Sequence, residues 1–169
     1  MKLCSMLLLA FSAALSGSAA FAQEATVVRW QKIVGVVTAP GISNPVGGIA
    51  SGGLPWTTNG GTASVNFRTG NVFFFVDGLV LNGGNATGTT GPVATVIGTL
   101  VCNAGSTSGA GQQVLDTPAV SLGPDGAAQF SGVFPSIPTC TKPIFLIRAG
   151  GKWIAAGAVP VTSSATEGN

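Results

Sequence analysis

The sequence predicts an all-β protein: an antiparallel two-sheet sandwich, immunoglobulin-like or a related Greek key. It would have about eight strands, one disulfide and an N-terminal signal helix that is removed. Three observations carry that prediction. No segment after residue 22 sustains a 3.6-residue apolar period over a helix-length window. Short runs of β-branched and aromatic residues recur instead, bounded by members of a set of 26 glycines and 10 prolines. That is how strands and turns are written in sequence. Finally, three turn phrases each yield a hairpin register with one wholly apolar face.

The first element is an export signal. Lys2 precedes an apolar run over residues 7–15, Gly17 and Ser18 break it, and Ala20-Phe21-Ala22 offers small residues for cleavage. The run is too short for the ~20 apolar residues that a membrane-spanning helix needs. The chain therefore divides into 1–22, a signal peptide, and 23–169, a single β-sandwich domain of ordinary size. Cys4 precedes the apolar run and leaves with the signal. The expected location is secreted or periplasmic.

The strands follow at about 26–38, 62–69, 72–81, 93–102, 113–122, 127–134, 143–149 and 152–160. In Thr69-Gly70-Asn71-Val72, a two-residue Gly70-Asn71 loop would pair Phe67 with Phe74 and Val65 with Val76. Arg68, Asn66 and Ser64 would then face Phe73, Phe75 and Asp77. A slip of one residue would scramble both faces. Gly123-Pro124-Asp125-Gly126 reads as a type I turn with a glycine bulge, pairing Leu122 with Ala128 and Val120 with Phe130. Ala149-Gly150-Gly151-Lys152 makes the third hairpin, with Ile147 opposite Ile154 and Arg148 opposite Trp153. There a guanidinium could stack on an indole. A barrel is the second architecture considered. A single sheet would leave Phe73, Phe75 and Leu79 wet, because Phe74, Val76 and Val80 use the opposite face, so something must cover them: the first strand, a long loop or a partner.

Cleavage leaves two cysteines, Cys102 and Cys140, and an even count in an exported chain reads as a bridge. Zinc wants about four Cys/His ligands, and the chain has no histidine.

Charge excludes some partners. The mature chain keeps six Lys/Arg against five Asp/Glu, and charged residues make up 7% of the whole, far below the usual quarter. Nucleic acid and anionic membrane surfaces call for clustered basic charge. The expected partner is an unknown protein or a cell-surface polymer, with no nucleic acid, and no membrane after signal cleavage.

Glycine-rich stretches at 40–61, 82–92 and 103–111 are the places to seek a site. The first holds Trp56, either a stacking platform for a sugar ring or a partner's side chain, or a loop tryptophan folded over the core edge. Trp56, Arg148 and Trp153 form the candidate ligand surface, with Trp30 and Trp153 also serving as strand packing. Asn85-Ala86-Thr87 matches the glycosylation tripeptide. The acids stand singly at 24, 77, 116, 125 and 167, whereas calcium wants several oxygen ligands together.

Catalytic parts are sparse. There is no His and no Tyr, the groups general acid–base chemistry often leans on. Asp116-Thr117 runs into Pro118, and Ser106 and Ser108 lie outside a nucleophile elbow. A Ser–Lys dyad among Lys32, Lys142 and Lys152 has no supporting motif. Gly150-Gly151-Lys152 lacks the Ser/Thr and glycine spacing of a phosphate loop. The expected function is an exported non-catalytic domain with a structural or protein-interaction role, needing no cofactor and no metal. The alternative is a carbohydrate-binding module using Trp56.

Val76-Asp77-Gly78-Leu79 followed by Thr90-Gly91-Pro92-Val93 resembles phrases of the CHRD modules of secreted proteins. Those modules carry a histidine-containing segment between comparable phrases, which this chain lacks. No property of that family is transferred.

Overall fold

The structure, a computed structural model, describes residues 27–104 and 111–164. The expected signal segment, 1–22, and Ser106 and Ser108 lie outside them. Every regular element among the described residues is a strand: β1 (Val27–Gly35), β2 (Trp56–Thr57), β3 (Gly60–Asn66), β4 (Asn71–Asp77), β5 (Val80–Leu81), β6 (Thr95–Cys102), β7 (Gln113–Asp116), β8 (Val120–Ser121), β9 (Ala128–Val133), β10 (Ile144–Ala149) and β11 (Lys152–Ser163). In β4 the alternation is explicit: Val72, Phe74 and Val76 point into the core while Asn71 and Phe75 are exposed.

One continuous antiparallel ladder runs β7-β6-β10-β11-β1-β3-β4-β9, with β8 also on β6. A two-stranded sheet, β2-β5, lies beside it. The ladders thus do not divide the chain into the two sheets of an immunoglobulin-like sandwich. One twisted sheet curls instead, so that its inner face packs on itself. Phe74 of β4 meets Phe145 of β10 at 5.9 Å between ring centroids, and Trp30 of β1 meets Phe145 at 5.5 Å. Small residues allow this approach. Gly98 of β6 lies under both phenylalanines, and Gly157 of β11 lies under Trp30.

The three turns behave differently. Between β3 and β4, Val65 pairs with Val72 and Ala63 with Phe74, not with the partners a two-residue loop requires. The Asn66 Oδ1 accepts the backbone N–H groups of Arg68 and Thr69, and the Asn66 carbonyl accepts that of Gly70. This asparagine turn widens the loop. The slip is even, so each side chain keeps its face.

At 123–126 the turn forms as expected, with the Gly126 N–H donating to the Gly123 carbonyl at 2.9 Å and Gly126 at φ +80°. The strands on either side then part company. β8 pairs with β6, through Val96 and Val120, and β9 pairs with β4, through Phe74 and Phe130. The expected hairpin is a corner that brings the two ends of the curled sheet together.

The third hairpin keeps Arg148 opposite Trp153, with Gly150 and Gly151 both at positive φ as a type I′ turn demands. Past them a bulge moves Ile147 onto Ala155 rather than Ile154.

Gly78, at φ +62°, breaks the run 72–81 and reverses its parity. Leu79 therefore enters the core, Phe73 is half-buried and Phe75 stays 38% exposed. The long loop after β1 covers a different region, the outer face of β6, β10 and β11. There Gly47 abuts Val101, the Gly47 carbonyl accepts from Gln112 Nε2, and Trp153 Nε1 donates to the Asn44 carbonyl at 2.7 Å.

Cys102 and Cys140 are bridged, with Cα atoms 4.9 Å apart and a sequence separation of 38. Beside them Asn103 accepts from the Thr141 N–H and hydroxyl and donates to the Gly111 carbonyl. A disulfide is consistent with an extracytoplasmic location. Among the described residues no helix is long and apolar enough to cross a membrane.

Candidate functional site

Trp56 is placed by backbone bonds on three sides. Its N–H donates to the Val36 carbonyl, the Asn82 N–H donates to the Pro55 carbonyl, and Trp56 pairs with Leu81 in the small sheet. Gly35 lets the chains pass this closely, since a Cβ there would lie 2.2 Å from the Trp56 carbonyl oxygen. The indole is 6% exposed. The tryptophan has folded over the core edge and offers no open ring face.

What remains visible of it lines an apolar hollow of about 280 Å³ between the small sheet and the β10–β11 hairpin. Leu54, Leu81 and Val93 form its walls, Ile154 its floor on the hairpin side, and Lys152 stands on the rim. Among the described residues the Trp56 indole Nε1–H has no acceptor, yet it is not sealed from solvent like the Nε of Arg148. The Lys152 ammonium is exposed and has no carboxylate partner among the described residues.

Arg148 and Trp153 belong to the other face of the same hairpin, because neighbours along a strand alternate. The Arg148 guanidinium is held by Asp116, at 2.9 and 3.1 Å, and reaches the Thr99 hydroxyl and the Gly151 carbonyl. Thr99 donates to the same carboxylate at 2.6 Å. This knot ties β7, β6 and β10 together. Trp153 is buried under the long loop, its backbone bonded to Ala50 and Gly52 and its indole to Asn44. Of the three expected surface residues, only Trp56 borders the hollow.

Sequence reasoning missed Leu54, Val93 and the position of Lys152. A lysine beside a Gly-Gly turn is a weak signal, and the two apolar residues look like any others. Two larger hollows exist: one of about 400 Å³ beside the disulfide and one of about 480 Å³ outside β3, β4 and β9. Among the described residues neither is lined by an ionisable side chain. Asp77 pairs in the ladder with Gly60, not Ser64, and accepts from Asn59 Nδ2. Asn85 is exposed. Among the described residues no three of His, Cys, Asp or Glu converge.

Compared with protein-family models, curated proteins and solved structures, the chain matches none of them.

Proposed function

We propose that this protein is an exported, non-catalytic β domain, secreted or periplasmic, that holds another protein through the hollow beside Trp56. The observation carrying the reading is an unmatched N–H donor set in apolar walls on a cross-linked frame. Binding sites commonly combine mostly apolar linings with a few placed polar groups. The disulfide suits an oxidising compartment, and the segment 1–22 supplies the route there. Asp116, which meets the hairpin at Arg148, has both oxygens occupied by that guanidinium, which favours a structural role for it. A sugar would need an open ring face to stack on, and at 6% exposure Trp56 offers too little. The protein-interaction reading therefore leads.

A photoreactive residue in place of Gly53 or Leu54, expressed in the producing cell, tests this. A discrete protein adduct should form in the extracytoplasmic fraction, and the same probe at Val161 should give none. Equal labelling from both places, or none from either, refutes the reading. Mass spectrometry of that fraction should find a chain starting at Gln23; one retaining 1–22 refutes the export step.

A further inference from the structure

We infer that the hollow seats a single apolar side chain from an extended polypeptide segment that carries a carboxylate next to it. In this arrangement Trp56 Nε1 donates to a backbone carbonyl of the segment, and Lys152 meets its carboxylate. The inference rests on the interaction reading above and names the partner's chemistry.

Size comes first. At about 280 Å³ the hollow lies at the lower end of small-molecule sites, which run ~300–1,000 Å³ and enclose most of their ligand. One aliphatic or aromatic side chain fits that scale, as anchor residues do at protein interfaces.

The rim decides for a polypeptide. Gly53 and Gly150 line the hollow, and a Cβ built on either would meet nothing within 4 Å. The edge is bare backbone under open space, where a second backbone can approach closely.

Two groups then specify the segment. Trp56 is 6% exposed, and its Nε1–H, at the wall of the hollow, has no acceptor among the described residues; water alone can satisfy it until a partner does. A carbonyl passing over the rim supplies the acceptor. Among the described residues Lys152 is the one ionisable side chain lining the hollow, on a protein with only 7% charged residues, and it has no counter-charge among them. An acid beside the anchor is the complement.

The test uses the ¹⁵N-labelled mature protein. Three tryptophans give three indole cross-peaks, and Trp56→Phe identifies one of them. The probe is the tripeptide acetyl-Asp-Leu-Asp-amide, compared with acetyl-Asp-Ala-Asp-amide, acetyl-Lys-Leu-Lys-amide and N-acetylglucosamine. The Asp-Leu-Asp probe should move the Trp56 peak saturably. Replacing its Leu by Ala should weaken binding about tenfold, and Lys152→Gln should weaken it about threefold. Trp56→Phe should abolish the response while the other two indole peaks hold their places. A stationary Trp56 peak, an equal response to the Lys probe, or a response to the sugar instead overturns the inference. If Gly53 still cross-links a protein in that case, the broader interaction reading survives. If it cross-links nothing, both fall.

Discussion

Replacing Gly98 by alanine probes how tightly the curled sheet closes on itself. The added Cβ would lie 2.7 Å from two ring carbons of Phe74 and 2.8 Å from Cζ of Phe145. Carbon atoms rest at about 3.5–4.0 Å, so both rings would have to retreat by nearly an ångström. Neither has room. Both are fully buried, and Phe145 is backed by Trp30. Overpacking of this kind costs about 1–3 kcal/mol, and rings from two strands put Gly98→Ala near the upper figure. For a domain of this size, about 3 kcal/mol lowers Tm by roughly 6–12 °C. Scanning calorimetry of the oxidised protein reads it directly. Phe74→Leu frees space beneath the new methyl, so the double variant should recover at least about 1 kcal/mol relative to the sum of the singles. A Tm for Gly98→Ala within about 1 °C of the parent, or strict additivity, would refute the packing described.

Three further outcomes follow from named contacts. Replacing Cys102 and Cys140 by serine should cost about 4 kcal/mol for a loop of this length, seen as a lower guanidinium midpoint; an unchanged midpoint would contradict it. Asp116→Ala strands a guanidinium whose side chain is only 15% exposed. With the carboxylate itself 43% exposed, it should cost about 1–2 kcal/mol by urea unfolding, while Asp116→Leu combined with Arg148→Met should cost less than the single change. Val159 holds φ +54° while 53% exposed, a backbone region unfavourable for a β-branched side chain. Val159→Gly should therefore stabilise by about 1 kcal/mol, and a lower Tm would count against that strain.

Much of this fold is legible in the chain's local chemistry. The eight apolar runs and the residues of the 123–126 and 150–151 turns depend on neighbours a few positions apart, and the bridge follows from there being two cysteines after residue 22. Parity survives even where register fails: Val65 faces the core whether it meets Val76 or Val72. What local reasoning cannot supply is which strand lies beside which. β8 leaves β9 for β6, and β1 pairs with β11 from the far end of the chain. Both are decided by how the interior fills, by Gly98 and Gly157 yielding to aromatic rings. The candidate site follows the same division. Trp56 draws notice as an aromatic among glycines, but Leu54, Val93 and Lys152 meet only after β2, β5 and the β10–β11 hairpin are assembled. Arg148 looked like a surface cation because its partner Asp116 is 32 residues away.

The place of β1 has a bearing on how the chain reaches its final form. It is flanked by β3 and by β11, whose last paired residue, Ser163, lies opposite Val27. A molecule emerging from its N-terminus can pair one side of that first strand early. The other side stays open until residues 152–163 are available. Contacts spanning most of the sequence form slowly, so an open strand edge persists through the latest stage of synthesis or passage. A truncation before residue 152 would leave β1 and β10 each with an unfilled flank, and a circular permutant joining the two ends would remove the wait.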